Sequence, residues 1–184
     1  MTQALGVALP EEYRWLETLP GRPRMIVEAL KLHGVREAIG SGNNPEILRW
    51  AEETGLSKEY RHDETPWCGL FMAVVAQRAL KPLPSGPLWA LSWRNFGVVI
   101  PQLQASLGDV LVFRRQRGGH VGLYVGHDDD AFHVLGGNQG DAVSIARLSR
   151  GRLVAVRRPA YRIPPTGVRP FRLSAEGALS EDES

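Results

Sequence analysis

Apolar positions recur with one period in the first half of the chain and another in the second. Met25, Ile26, Ala29, Leu30 and Leu32 fall at helical spacing and predict a helix ending near Gly34. The run Gly40-Ser41-Gly42-Asn43-Asn44-Pro45 reads as a loop and cap, with Pro45 opening a second helix through Ile47, Leu48, Trp50 and Ala51 to Gly55. A third helix starts near Pro66 and presents Leu70, Phe71, Val74, Val75 and Leu80 as a broad apolar surface, which predicts that it runs through the core. Residues 88–96 predict a short helix closed by Gly97. From Gly108 the texture changes to short apolar runs at 110–113, 121–125, 132–135, 143–145 and 153–156, separated by turn residues. Helices first and strands afterwards predict an α+β domain, with one helix packed on a strongly curved antiparallel sheet of about five strands.

The punctuation Pro20-Gly21-Arg22-Pro23 separates an N-terminal segment, 1–20, from a domain over 21–160. A tail over 161–184, rich in Pro, Gly, Ser and acidic residues from Ile163 onward, is expected to be poorly ordered. At 184 residues and 43% hydrophobic, the chain has the size of one domain with a real core. Its formal charge of +2 is spread rather than massed, so nucleic acid is not an expected partner. One cysteine excludes an intrachain disulfide framework. Neither a signal peptide nor an apolar run long enough to span a membrane is found, so synthesis in the cytoplasm is expected.

The single cysteine, Cys68, lies in Thr65-Pro66-Trp67-Cys68-Gly69. Thr65 suits the N-cap and Pro66 the first helical position, which puts Cys68 in the first turn. Unpaired N–H groups and the helix dipole there favour a thiolate, lowering the thiol pKa from about 8.5. A buried structural cysteine is the competing reading.

A thiol nucleophile needs a base, and the base needs a group that fixes its tautomer. His120 stands out in Gly118-Gly119-His120-Val121-Gly122-Leu123-Tyr124-Val125-Gly126. In a strand, His120, Gly122 and Tyr124 share one face, expected to be outward, while Val121, Leu123 and Val125 face the core. Asn138 and His133 compete for the third position. Asn138 follows two glycines and its amide oxygen can accept the ring N–H of His120; His133, between Phe132 and Val134, reads better as a satisfied sheet histidine.

Four blocks in order, Thr65-Pro66-Trp67-Cys68, Gly108-Asp109-Val110-Leu111-Val112-Phe113, Gly119-His120-Val121-Gly122 and Leu135-Gly136-Gly137-Asn138-Gln139, resemble the papain-like bacterial cell-wall hydrolases of the NlpC and CHAP kind. The likeness is greatest to the phage- and prophage-associated branch with the Leu-Gly-Gly-Asn-Gln signature. With Gly42-Asn43-Asn44-Pro45-Glu46-Ile47-Leu48 it spans roughly residues 24 to 159. The resemblance implies a papain-like fold and a cysteine peptidase or amidase cutting an amide bond in peptidoglycan. By it, Cys68 is the nucleophile, His120 the general base and then acid, and Asn138 the orienting group, with no metal or other cofactor. NlpC-type enzymes often place a histidine near the position of His133, whereas CHAP-type enzymes use a later polar residue near Asn138. The family's oxyanion hole usually pairs the nucleophile's own N–H with an upstream side chain, for which Tyr60 and His62 are candidates. Action at the cell wall or in the periplasm then implies a delivery partner, such as a phage or a secretion system.

Rival readings are weaker. His62, Cys68, His127 and His133 match no familiar zinc spacing. Asp128-Asp129-Asp130 lacks the glycine and glutamate of a calcium loop and reads as a hairpin tip. Trp67 and Trp93 are candidates to line a glycan groove. A non-catalytic wall-binding or virion module on the same fold predicts a buried, unreactive thiol. An acyltransferase or a deamidase of side-chain amides would share the Cys and His machinery.

Overall fold

The computed structural model describes residues 7–40 and 42–175. Four α-helices come first among these: α1 (Trp15–Thr18), α2 (Arg24–Leu30), α3 (Pro45–Glu53) and α4 (Cys68–Arg78). Six strands follow: β1 (Val98–Ile100), β2 (Val110–Arg114), β3 (Gly119–His127), β4 (Ala131–Gly136), β5 (Ser144–Ser149) and β6 (Leu153–Arg158). They form one open antiparallel sheet in the order β1-β6-β2-β3-β4-β5. The fold class is therefore α+β, with six strands where about five were expected. The additional strand is β1, a three-residue edge strand paired with β6.

Local chemistry sets the helix starts. Pro45 opens α3 as expected, and the Asn44 side chain accepts the Glu46 N–H at 2.8 Å, satisfying one of the donors a helix start leaves unpaired. Segment 88–96 tightens into a 3-10 helix, Ala90–Asn95, rather than an α-helix. The third helix starts later than its sequence suggested. Thr65 N–H closes a turn onto His62 O, and α4 begins at Cys68 with Trp67 as cap and no side-chain cap bond. Thr65 and Pro66 are thus outside the helix.

All residues from Cys68 to Ala76 are buried, so α4 is a core helix. It packs on the sheet face formed by Val110, Val112, Val121, Leu123, Val125 and Leu135. The opposite face carries Leu111, Phe113, Tyr124, Phe132 and Val134, which join Leu148 of β5 and Val156 of β6 in a second buried cluster. Both faces of β3 are therefore buried, and His120 and Tyr124 are fully enclosed rather than outward-facing.

Both ends of the described chain are tied to this core. Leu9, Tyr13 and Leu16 are buried, and the Trp15 ring packs on Phe171 at 4.6 Å. Against the expectation of a poorly ordered tail, Gly167 N–H bonds Gly21 O, Arg169 O accepts from Leu107, and Phe171 and Leu173 pair with His127. The remainder of that expectation, 176–184, lies outside the described residues. Among the described residues, no helix is long and apolar enough to cross a membrane.

Candidate active site

Two glycines let three segments meet at the start of α4. A Cβ on Gly137 would lie 2.5 Å from the Phe71 Cβ, and one on Gly69 would lie 2.3 Å from Leu88 O. The turn after β4 therefore crosses α4 on one side, and the proline-rich segment before the 3-10 helix crosses it on the other. The result is a Cys68 that is 4% exposed.

The backbone N–H groups of Val121, Gly69 and Cys68 itself point toward the sulfur, and the Arg115 guanidinium adds positive charge nearby. All of these favour a thiolate. Burial outweighs them and pushes the Cys68 thiol above its ordinary value. The expected lowering at a helix start is thus overridden, because a sulfur removed from water loses more than the N–H groups and the charge return.

His120 occupies the residue next to Val121 on β3 and is fully buried. Its Nδ1 accepts from Arg115 Nη2 at 3.2 Å, and its Nε2 contacts Gln139 Oε1 at 2.9 Å. Because a guanidinium only donates, Nδ1 is unprotonated and Nε2–H donates to the amide oxygen. Gln139 is held in that orientation, since its Nε2 donates to Val134 O at 3.1 Å and Ser144 O at 2.7 Å. Burial first, then the charge of Arg115, push the His120 ring down to about 3. The imidazole is therefore neutral at pH 7, with its lone pair on the nitrogen that faces Arg115. Among the described residues no hydrogen bond joins Cys68 Sγ to this ring.

The third position differs from the expected one. Asn138, at φ 57°, turns its side chain to the helix start, where Oδ1 accepts the Trp67 N–H at 3.3 Å. Gln139, the next residue of the same signature, accepts the His120 ring N–H in its place. His133 lies elsewhere, bonded to Asp128 Oδ2 at 2.8 Å and to Tyr13 Oη at 2.5 Å, as a satisfied sheet histidine.

Other candidates are also relocated. Trp67 is fully buried against Trp50 with its ring N–H donated to Glu37, so it offers no face to a ligand. Trp93 is fully buried on Phe96, its N–H donated to Pro87 O. The tryptophan near the start of α4 that is exposed is Trp89, at 74%, beside the Leu88 that crosses Gly69. The Tyr60 hydroxyl donates to Thr65 O, and His62 lies in an exposed turn. Among the described residues no three His, Cys, Asp or Glu side chains converge on a metal-sized site. Asp128 closes the turn between β3 and β4 by accepting from the N–H groups of Asp130 and Ala131.

Sequence reasoning missed Gln139 and Arg115. Gln139 belonged to the signature block but was passed over for its neighbour; Arg115 carried no signal beyond its place five residues before His120. The chain matches no protein-family model, and no curated protein is significantly similar to it in sequence.

Proposed function

We propose that the protein is a papain-like cysteine peptidase or amidase that cuts an amide bond in peptidoglycan. The observation that carries this reading is the His120–Gln139 pair, set one residue from the Val121 N–H that faces the Cys68 sulfur. Beside the thiol it supplies a neutral base, whose Nδ1 lone pair accepts from Arg115, and an amide that fixes the tautomer. The ordered sequence blocks supply the substrate class by resemblance.

In the reaction, His120 Nδ1 takes the Cys68 proton as the sulfur attacks the amide carbonyl. The oxyanion is held by the Cys68 N–H at the helix start. The imidazolium, oriented by Gln139 Oε1, protonates the leaving amine as the C–N bond breaks. Water then attacks the thioester, giving its proton to His120, and releases the acid and the thiol. The exposed Trp89 offers an apolar face for sugar stacking. No resident cofactor is required, and the chain reaches its substrate through a delivery partner.

A non-catalytic module on the same fold is the second reading, favoured by the burial of the sulfur and the absence of a thiol–imidazole hydrogen bond. Incubating the protein with peptidoglycan sacculi and identifying released fragments by mass separates the two. The hydrolase releases fragments with new amine and carboxyl termini, and Cys68→Ala releases none. Equal release by both proteins, or release by neither, overturns the proposal.

A further inference from the structure

Arg150 buries its Nε–H with no acceptor among the described residues. The rest of that side chain is fixed: Nη2 donates to Asp128 O at 2.6 Å, and the guanidinium carbon lies over the Phe132 ring, 5.0 Å from its centroid. A charged donor held out of water and unpaired is costly, so the position asks for an acceptor. A cavity adjoins it. Gln102, Leu103, Ala105, His127, Phe132 and Arg150 line about 60 Å³, several times the roughly 10–15 Å³ that one water needs. Ala105 and Phe132 belong to the buried cluster on the sheet face opposite α4, whereas Cys68 belongs to the other, so this cleft is separate from the thiol site.

His127, the last residue of β3, adds a second donor. The Tyr124 hydroxyl lies 2.6 Å from its Nδ1 and 3.3 Å from Phe171 O. The shorter contact takes the hydroxyl proton, so Nδ1 accepts and the ring keeps its own proton on Nε2. That N–H makes no hydrogen bond among the described residues. Burial first, then the charges of Arg150 and Arg172, lower the His127 ring below its ordinary value. The ring is thus neutral at pH 7, and Arg150 carries the positive charge of the lining. No carboxylate lines the cavity. Asp128 is taken by Arg147, His133 and two turn N–H groups, Asp129 pairs with Arg172, and Asp130 is exposed at the hairpin tip.

A cationic donor beside a neutral one selects an anion, and the walls select among anions. Leu103, Ala105 and Phe132 are apolar. Chloride or phosphate leaves that wall unused, whereas a short carboxylate sets its oxygens on the donors and its alkyl carbons on the wall. Leu103 is 88% exposed, so the cleft opens to solvent at that rim. We propose that the cleft between the 3-10 turn at 102–104 and the end of β3 binds a short aliphatic carboxylate, free or ending a peptide, through Arg150 Nε–H and His127 Nε2–H. The site stands independently of the hydrolase reading.

The test is a proton–nitrogen NMR titration of the intact chain at pH 7 and constant ionic strength, with sodium propionate, N-acetylalanine, sodium phosphate and sodium chloride. Propionate should shift the Arg150 Nε–H and His127 ring signals saturably, with phosphate and chloride at least about tenfold weaker. Read at His127, Arg150→Gln should weaken propionate about tenfold by removing the charge-assisted bond. Leu103→Glu, at an exposed position that folding does not depend on, should also weaken it by fixing an anion at the rim, and it decides the matter if Arg150→Gln does not fold. The remote control Arg49→Gln should bind as wild type does. N-acetylalanine binding as tightly as propionate assigns the site to a peptide terminus, and binding of propionate alone assigns it to a free acid. Shifts that do not saturate, unchanged propionate affinity in folded Arg150→Gln, or a preference for phosphate or chloride overturns the inference.

Discussion

Two buried histidines on adjacent strands of one sheet, His120 on β3 and His133 on β4, have opposite kinds of surroundings. His133 is closed on both nitrogens by side chains fixed elsewhere in the fold. Its Nε2–H donates to Asp128, its Nδ1 accepts from Tyr13, and Asp128 in turn accepts from Arg147 Nε at 2.8 Å. Burial raises the Asp128 carboxyl, but the Arg147 bond and the turn N–H groups overcome it and hold the group well below the usual carboxylate range. The ring is thus pinned by a permanent anion. His120 has no anion among its hydrogen-bond partners: an amide oxygen holds one nitrogen, and a half-buried arginine from a surface turn covers the other. One histidine is a rivet between the N-terminal segment and the sheet. The other has its lone pair covered by an arginine and lies next to the residue whose N–H faces the chain's single thiol.

The largest effect expected on this contrast is at the rivet. Asp128→Ala removes the carboxylate that Arg147 Nε, His133 and two turn N–H groups share, and should cost about 3–5 kcal/mol of stability in denaturant unfolding. Cleavage per folded molecule should persist. At the other histidine, Gln139→Ala should reduce turnover about 10–100-fold, roughly 1.4–2.7 kcal/mol, because the ring loses the group that fixes its tautomer. An equal loss on Asn138→Ala would transfer that role to Asn138.

Acid sharpens the contrast further. The unfolded chain protonates His120 below about 6.5 while the folded ring resists until about 3, so the unfolded state binds more protons in that window and stability falls as pH falls. The loss should be about 1.4 kcal/mol per pH unit, and His120→Gln should flatten it. Burial lowers His133 as well, but Asp128 opposes that shift, so His133→Gln should flatten the slope less. The smallest effect is Asn138→Ala, which removes the acceptor for Trp67 N–H at the helix start and should cost about 1 kcal/mol in thermal or denaturant unfolding.

The order of helices and strands was legible in the periodicity, as was the start of α3, because Asn44 and Pro45 set that start with their own side chains. The start of α4 was misplaced because Pro66 suits a first helical position, while the turn at 62–65 delays the helix to Cys68. Strand β1 was invisible: three residues at an exposed edge carry no alternation to detect. Cys68 and His120 could be selected by residue type and spacing, yet their surroundings could not. Whether a helix-start thiol is lowered or raised depends on what covers it, and the Leu88 and Gly137 contacts that do so are set by the tertiary fold. Residue type and position gave Asn138 and His133 as rivals, but β4 ends at Gly136 and the left-handed residue Asn138 resets side-chain direction, which delivers Gln139 to the ring. Trp67 and Trp93 were placed at a surface because aromatic residues near a nucleophile look like ligand contacts, whereas both fill the core.

The central claim is that His120, and not His133, works with Cys68 on an amide bond. Its most direct test is peptide release from peptidoglycan sacculi by His120→Asn and His133→Asn, normalised to folded protein. Loss of at least about a thousandfold in the first, with the second within a few fold of wild type, is the predicted result. Comparable release by His120→Asn and wild type, or a collapse confined to His133→Asn, would contradict it.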